Sequence, residues 1–480
     1  MTGAQTDVDA VVVGSGPNGL VAAIKLAEAG LRVVVFEAAN QIGGGLRTEE
    51  FTLPGFRHDV CSTVQALAQV SRAFRELHLE REGLRFVHPE VPCGHPLDDL
   101  PAAILDRDVD VTAADLGRDG SAWRHFVGSL AARGDDLVDS LLSPFEVPPR
   151  HPIDLAAFGM RGIWPAKLTN AVLFREPRTR ALFAGVAAHA VLPLTSPATA
   201  GYGLILAAVA HSAGWPVAVG GSQAVADALT RRLESLGGEV VTGTPITSLS
   251  QLPSNRAVVL NVTPQQAVQI AGDALPARYR RKLSNWRYGP GVFKVDWALD
   301  GPVPWNDERL AGAGTIHLAG TADEVAASER LVAKGGHPTN PYVLYVQATA
   351  ADPSRAPAGK HTGWAYCHVP NGSTVDMTAA IEAQVERFAP GFRERVLARH
   401  VMGPAALEAH NANEIGGDIA GGAGDLRQFF ARPILGTDPW RTPVPGLYLC
   451  SSSTPPGGGV HGMGGWHAAR SALRHTEGWG

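Results

Sequence analysis

A glycine-rich turn near the start of the chain separates an apolar segment from a helical one. Residues 9–13 (DAVVV) form a continuous apolar run, which is typical of a parallel strand buried on both faces. The turn, residues 14–19 (GSGPNG), precedes an Ala- and Leu-rich helical stretch over 20–29 and a second apolar run over 31–37. Strand, helix and strand in this order predict a right-handed βαβ unit, and therefore an α/β fold with a parallel sheet.

The spacing of the glycines in this turn predicts a bound dinucleotide. Gly14 permits the tight turn, Gly16 lets the backbone approach a pyrophosphate, and Gly19 lets helix and strand pack closely. The helix start adds N–H groups and a dipole that favour an anion. Glu37 lies 18 residues after Gly19 and can accept hydrogen bonds from ribose hydroxyls. The alternative is a βαβ unit that binds nothing.

A second glycine turn, residues 43–48 (GGGLRT), favours FAD over NAD. It follows Glu37 closely and suits further contacts along a longer cofactor. Arg47 in this turn offers a planar fork that can hold a phosphate through two hydrogen bonds. A solvated arginine on a surface turn is the alternative interpretation.

A third glycine-rich segment lies at the other end of the chain. Residues 454–465 (TPPGGGVHGMGG) stand between an apolar strand, 446–450, and a terminal helix. So many glycines at a helix start indicate close approach to a flat or anionic group, and the N1–C2=O edge of a reduced flavin is such a group. A flexible tail linker is the alternative, which the flanking strand and helix disfavour.

Composition limits the classes of function. The 480 residues carry a net charge of −5 with no basic domain, so nucleic acid is not expected as a partner. The 4 cysteines form no Cys-x-x-Cys pair, so neither a zinc site nor a redox-active dithiol is expected. We expect a reduced, cytoplasmic chain. The N-terminus has no signal-peptide pattern, and no apolar run is long enough to span a membrane.

The pattern along the chain predicts two interleaved domains. Residues 80–215 are irregular and proline-rich, with helices near 122–142 and 178–190. A helix over 223–236 is followed by two short strands, EVV and PITSL, and strands of another sheet are expected over 291–300 and 342–349. We assign 1–80, 215–290 and 440–480 to an FAD-binding domain, and 81–214 and 291–439 to a substrate-binding domain.

Six segments carry a family resemblance. They are VVVGSGPNGLVAAIKLAEAG, VVVFEAANQIGGGLRTEEFTLPGFRHDVCS, GWPVAVGGSQAVADAL, IEAQVERFAPGFRERVLARH, GGDIAGG and PVPGLYLCSSSTPPGGGVHGMGGWHAA. The chain resembles the phytoene-desaturase and carotenoid-isomerase branch of the FAD-dependent amine-oxidase superfamily, and within it the proteins called pyridine nucleotide-disulfide oxidoreductase domain-containing protein 2. The resemblance implies a discontinuous Rossmann-type FAD-binding domain and an α+β substrate domain built on a mixed sheet.

The resemblance also implies which residues hold FAD. The glycines of the first turn would hold the pyrophosphate, Glu37 the adenosine ribose, and the backbone of Ile246, in the strand PITSL, the adenine. Val460, His461 and Gly462 would line the flavin ring. The full expected set is Gly14, Ser15, Gly16, Pro17, Asn18, Gly19, Glu37, Ala38, Gly44, Gly45, Leu46, Arg47, Ile246, Ser451, Gly459, Val460, His461 and Gly462.

The sequence departs from the name of these similar proteins. Only one of its G-x-G-x-x-G matches, at residues 14–19, directly follows a buried strand, and it has no Cys-x-x-Cys, so a second nucleotide domain and dithiol chemistry are not expected. Electrons would pass to oxygen, a quinone or another protein, or return to the substrate in a redox-neutral isomerisation.

Lys294 and His461 are the candidate catalytic residues. Lys294 lies in GVFKVDWAL, where alternation places it with Val292 and Asp296 on one face of a strand. A lysine on a similar strand of the superfamily contacts flavin N5 through water; a salt-bridged lysine is the alternative. His461 stands between glycines and can act as an acid or base, or serve as a hydrogen-bonded loop residue.

Other candidates carry weaker signals. His58 and Asp59 are adjacent, so in a strand they point to opposite faces. His211 and Trp215 precede a glycine turn and can line a substrate cavity. Residues 158–168 (FGMRGIWPAKL) mix large apolar and basic side chains, which suits a membrane-surface element giving access to a lipophilic substrate, or an ordinary helix at a domain edge.

Three functions compete. The leading hypothesis is an FAD-dependent oxidoreductase that takes a hydride from a mostly apolar small molecule, with desaturation or double-bond isomerisation as the outcome. An amine or amino-acid oxidase that produces peroxide is the second, ranked lower because tyrosine is scarce (7 residues). A flavin-containing binding or scaffold protein without turnover is the third.

Overall fold

Three distant stretches of chain supply the strands of one parallel sheet. The structure, a computed structural model, describes residues 8–143 and 151–476. In this five-stranded sheet the first strand is central, and its valines are buried on both faces, as their apolar run predicts. From one edge to the other the strands are Leu447–Leu449, Ala257–Leu260, Ala10–Val13, Val33–Phe36 and Glu239–Val241.

A second sheet of seven strands is mixed, with one parallel pair. The expected alternation on the strand Gly291–Leu299 is confirmed, because Phe293, Val295 and Trp297 join one apolar cluster while Val292 joins another. In order, the strands are Val396–Met402, Gly291–Leu299, His361–Val369, Val343–Val346, Ala313–Leu318, Val91–His95 and Ala103–Leu105. The expected fold class, a discontinuous Rossmann-type unit with a mixed-sheet unit, is confirmed.

Helices connect many of these strands. Two short antiparallel pairs join Thr48–Glu49 to His58–Asp59 and Phe86–Val87 to Val217–Ala218. The helices are Pro17–Glu28, Ala66–Val70, Arg72–Leu77, Val109–Asp115, Gly120–Trp123, Ser129–Ala131, Gly134–Leu141, Pro152–Gly162, Ala166–Leu173, Pro177–Ala187, Thr199–Ser212, Gln223–Ser235, Pro264–Ala271, Ala277–Ser284, Ala322–Ala333, Thr378–Phe388, Phe392–Arg395, Pro404–His410, Leu426–Phe430 and Met463–His475. None within the described ranges is long and apolar enough to cross a bilayer.

The prediction that residues 80–215 are mostly irregular is wrong. Beyond the two expected helical stretches, the segment contains two strands of the mixed sheet and several further helices. Three of its prolines stand at helix starts: Pro152 and Pro177 occupy first helical positions, and Pro165 directly precedes a helix. Proline suits these positions because its missing N–H has no partner in the first turn of a helix.

The predicted strand PITSL is also wrong. Gly243 has a φ of +62°, which turns the chain away from the sheet edge. The N–H groups of Gly243 and Thr244 then donate to the carbonyls of Ala39 and Glu37, and Pro245 has no N–H to give a neighbouring strand. Ile246 therefore lies in a loop across the ends of the parallel strands.

Candidate functional site

A large cavity extends from the parallel sheet to the mixed sheet. Its volume is about 1530 Å³, above the roughly 300–1,000 Å³ of a pocket for one small ligand. Val13 and Phe36, at the carboxyl ends of two parallel strands, line it, as do Thr315, Val346 and Trp364 of the mixed sheet. The carboxyl ends of parallel strands are where α/β sheets bind ligands. The cavity has room for a dinucleotide and a second molecule.

The first glycine turn requires its glycines. Gly14 has a φ of +98°, and a Cβ on Gly19 would lie 2.0 Å from the carbonyl oxygen of Gly14. A Cβ on Gly16 would lie 2.9 Å from Nδ2 of Asn261. Gly16 also precedes the helix Pro17–Glu28, so this helix start faces the cavity with unhindered backbone.

Glu37 connects this turn to the end of the next strand. Its Oε2 accepts hydrogen bonds from the backbone N–H of Ser15 at 2.8 Å and from Oγ of Ser15 at 2.6 Å. Its Oε1 accepts one from the N–H of Ala39 at 2.9 Å. Glu37 also lines the cavity, so these bonds hold the carboxylate beside the glycine turn.

The second glycine turn lies against the first. A Cβ on Gly44 would be 3.2 Å from Cα of Gly16, and the N–H of Gly43 donates to Oγ of Ser15. Arg47 is 5% exposed, which rules out the solvated surface arginine. It donates to the carbonyl of His410 at 2.8 Å, while its Nε is buried without a protein partner. The turn therefore presents a fixed cation and close backbone to the cavity.

The expected cofactor residues are mostly cavity-lining. Those in the wall are Gly14, Gly16, Pro17, Asn18, Glu37, Ala38, Gly44, Gly45, Leu46, Arg47, Ile246, Ser451, Gly459 and Val460. Ser15, Gly19, His461 and Gly462 support it from behind. The described residues thus form a site with the backbone shape and the anionic and cationic groups that a dinucleotide requires.

His461 makes hydrogen bonds to neighbouring residues of its own segment, and Gly462 packs against the first helix. Nδ1 of His461 accepts from the N–H of Met463 at 3.1 Å, and Nε2 lies 3.2 Å from the carbonyl of Gly457. Burial lowers the pKa of His461 to about 4. A Cβ on Gly462 would lie 2.6 Å from Cγ2 of Val21 in the first helix. These contacts match the alternative of a hydrogen-bonded loop histidine.

Lys294 lies behind the cavity wall. It is 1% exposed, its Nζ pairs with Asp296, and it stands 5.8 Å from the ring of Trp364, which does line the cavity. The nearby Lys294 cation lowers the pKa of the Asp296 carboxyl against the opposing effect of burial. The geometry matches the alternative of a salt-bridged lysine, and its catalytic role stays a prediction.

The weaker candidates separate into two groups. Trp215 lines the cavity, as expected, whereas His211 accepts from the ring N–H of Trp123 at 2.9 Å outside it. Asp59 pairs with Arg355 at 2.6 Å, and His58 lies 3.6 Å from Asp296. Burial lowers the pKa of His58 to about 4. His58 and Asp59 therefore face different buried partners, in keeping with their opposite directions.

Glu414 is a cavity residue that sequence reasoning missed. It lies beside Cys61 and accepts from Nδ2 of Asn411 at 2.9 Å. Burial raises the pKa of Glu414 to about 7. Only its position just before the glycines of GGDIAGG offered a signal, since a carboxylate beside a glycine-rich segment is otherwise unremarkable.

The comparisons with known proteins agree with this geometry. Residues 12–77 match the family model of the NAD(P)-binding Rossmann-like domain. The chain is 27% identical to pyridine nucleotide-disulfide oxidoreductase domain-containing protein 2 of Mus musculus, over 98% of this chain and 94% of that protein. It is 25% identical to the neurosporene-forming phytoene desaturase of Rhodobacter capsulatus, over 94% and 91%.

A solved structure shares the fold. Wild-type putrescine oxidase bound to putrescine superimposes with a TM-score of 0.62 at 18% identity, over 98% of this chain and 99% of that one. The chain is thus similar to Rossmann-type oxidoreductases, in sequence to a phytoene desaturase and in fold to putrescine oxidase. Among the proteins that it resembles over most of its length are pyridine nucleotide-disulfide oxidoreductase domain-containing protein 2 and the phytoene desaturases.

Proposed function

We propose that the chain binds FAD and oxidises a mostly apolar small molecule by taking a hydride from a C–H bond, with desaturation or double-bond isomerisation as the outcome. The observation that carries the proposal is the continuity of the cavity, from the two glycine turns to apolar side chains such as Leu67, Leu206 and Val346. FAD, when bound, would supply the hydride acceptor at its N5.

The protein's own residues would bind and orient the cofactor and the substrate, and they would exclude water from the site. The N–H groups at the start of the first helix and the cation of Arg47 suit a pyrophosphate, and the carboxylate of Glu37 suits ribose hydroxyls. The loop of Ile246 lies where an adenine would contact backbone. The apolar wall keeps water from the reacting carbon, which protects a hydride transfer from side reactions.

The experiment is anaerobic reduction of the purified flavoprotein. We expect bleaching of the flavin absorbance by polyenes or other unsaturated apolar compounds. Bleaching by amines with peroxide formation in air, and none by apolar compounds, would instead establish the amine oxidase function of putrescine oxidase, whose fold the chain shares. A purified chain that stays colourless after incubation with FAD would end both proposals.

We further propose that the substrate enters from a membrane surface. Two consecutive helices, Pro152–Gly162 and Ala166–Leu173, expose Met160 and Val172 to 70% and 72%. Phe158 on the first of these helices lines the cavity, so the exposed face and the cavity share one element. An amphipathic surface of this kind inserts shallowly into the lipid interface.

The basic side chains of this region take little part in the exposed face. Arg161 turns back to donate to the carbonyl of Phe126 and to Oγ of Ser129, and Lys167 lies 3.4 Å from Asp323. Apolar burial rather than attraction to anionic lipids would therefore drive binding, and the affinity should depend little on salt.

A further inference from the structure

Two buried histidines form a hydrogen-bonded pair at the cavity wall. Nε2 of His189 lies 2.9 Å from Nε2 of His317, and His189 lines the cavity. Nδ1 of His317 lies 3.5 Å from Sγ of Cys93. Nδ1 of His189 makes no hydrogen bond to a described residue, so the pair presents one unused ring nitrogen at the wall.

A threonine hydroxyl on the strand that carries His317 is also unused. Thr315 lines the cavity and is 1% exposed, and its Oγ1 has no hydrogen-bond partner among the described residues. Thr315 and His317 are two residues apart on the strand Ala313–Leu318, so their side chains share one face. A buried hydroxyl without a partner costs about 1–3 kcal/mol, and such groups call for an explanation.

A glycine makes room for this pair of histidines. A Cβ on Gly185, in the helix Pro177–Ala187, would lie 2.7 Å from Nδ1 of His95 and 2.8 Å from Nδ1 of His317. Glycine at this position therefore lets this helix, which leads directly into the turn Ala188–Ala190 that carries His189, approach the strand that carries His317. The ring of Trp215 packs on both histidines, with centroids 5.9 and 6.3 Å away.

The pair is electrically neutral. Burial lowers the pKa of His189 to about 3 and that of His317 well below its usual range. Two neutral imidazoles offer no charge to a carboxylate or a phosphate, and no carboxylate of the described residues bonds to the pair to attract an ammonium. A hydroxyl fits either tautomer of His189, because it can donate to a bare nitrogen or accept from an N–H while bonding to Thr315.

We propose that His189 and Thr315, with His317 as the positioning residue, form a hydrogen-bonding subsite that recognises a hydroxyl group on the lipophilic substrate. The subsite rests on the proposed function and narrows its substrate class from hydrocarbons to alcohols. A bound hydrocarbon analogue would leave the polar atoms of Thr315 and His189 without hydrogen-bond partners in an apolar wall. The hydroxyl of a bound alcohol would supply these partners and remove that free-energy penalty.

The test measures binding to the flavoprotein, through the change in flavin absorbance, for matched pairs of ligands. The pairs are dodecan-1-ol against dodecane and farnesol against farnesene, in detergent micelles. We expect each alcohol to bind at least about tenfold tighter than its hydrocarbon, the equivalent of about 1.4 kcal/mol. Thr315→Val, which keeps the shape, should reduce this ratio to below about threefold by weakening the alcohol alone.

A matched control is available in Thr179→Val. The Thr179 hydroxyl is also fully buried without a partner, but the residue does not line the cavity, so its variant should keep the wild-type ratio. His189→Phe, which retains an aromatic ring, should reduce the ratio as Thr315→Val does. Equal binding within every pair, or no binding of either member, overturns the subsite.

The outcome for the subsite is separable from that for the proposed function. Flavin reduction by farnesene with no preference for farnesol would refute the subsite and keep the oxidoreductase function. A preference for both alcohols that Thr315→Val abolishes, without flavin reduction by any apolar compound, would establish the subsite and refute the proposed reaction.

Discussion

Gly465 in the last helix lies directly against the carbonyl oxygen of Asn18 in the first: a Cβ on Gly465 would be 1.8 Å from that oxygen. The neighbouring Gly464 would bring a Cβ to 2.7 Å from the carbonyl of Cys450. The two ends of the chain therefore meet through backbone contact, and part of the C-terminal glycine run serves helix packing.

Gly465→Ala should destabilise the protein. The added methyl must displace one helix, and overpacking of this kind costs about 1–3 kcal/mol or more. The measurement is the free energy of unfolding in denaturant. Gly159→Ala is the control, because Gly159 lies in a helix and nothing lies within 4 Å of its Cβ position. This variant should stabilise the folded protein by about 0.5–1 kcal/mol. Equal stabilities of the two variants would contradict this packing.

Glu37→Gln should weaken FAD binding without unfolding the chain. The amide keeps the shape of the side chain but loses the charge that accepts from Ser15 and would accept from ribose hydroxyls. Hydrogen bonds to a charged group contribute about 1.5–3 kcal/mol, which corresponds to a loss of affinity of about tenfold to 100-fold. Titration of the cofactor-free protein with FAD measures it.

The control for this variant is Glu50→Gln. Glu50 also accepts a backbone hydrogen bond, from Gly55 at 2.9 Å, but on an exposed turn that does not line the cavity. Its FAD affinity should equal that of the wild type. Undiminished affinity in Glu37→Gln would remove Glu37 from the cofactor site.

The sequence predicted the parallel sheet well because its evidence is local. An apolar run, a glycine turn and a carboxylate at fixed spacing define the unit around Gly14 and Glu37 within a few tens of residues. The pair of His189 and His317 had no such signal, because its members are 128 positions apart and meet only when a helix packs on the mixed sheet. For Lys294 the sequence predicted only part of the arrangement. The alternation of the strand predicted which face carries its side chain, but not that Trp364 lies between this side chain and the cavity.

Exposed apolar side chains near the cavity should bind neutral bilayers. Met160→Glu combined with Val172→Glu should reduce co-sedimentation with phosphatidylcholine vesicles by at least about tenfold, because charge in the lipid interface opposes burial of the apolar face. Val375→Glu combined with Leu397→Glu changes two other exposed residues and should bind as the wild type does. Vesicle binding that is equally strong in both double variants, or absent in the wild type, would refute the membrane surface.

Lys294→Met should lower the free energy of unfolding. It leaves the fully buried Asp296 carboxylate without its cation, and breaking a buried ion pair costs about 3–5 kcal/mol. The partly exposed pair of Lys360 and Asp300 gives the control, since Lys360→Met should cost about 0–1 kcal/mol. If Lys294→Met kept wild-type stability while flavin reduction slowed 100-fold or more, the catalytic prediction for Lys294 would hold instead.

Glu414 should make stability fall as pH rises. Its pKa is about 7 in the folded chain and near the ordinary glutamate value of 4.5 when the chain is unfolded, so between these values only the folded state holds the proton. Each unit of difference contributes about 1.4 kcal/mol, so the folded state should lose about 3 kcal/mol between pH 4.5 and pH 7 through this group. The loss arises because deprotonation places an anion in a buried site.

Glu414→Gln should remove this component, because the amide resembles the protonated acid and does not titrate. The measurement is the free energy of unfolding of both proteins, in the same cofactor state, from pH 4.5 to pH 8. The variant should gain stability relative to the wild type as pH rises, with the difference levelling off above pH 7. Parallel curves across the range would mean that Glu414 ionises in the folded protein as it does in the unfolded chain.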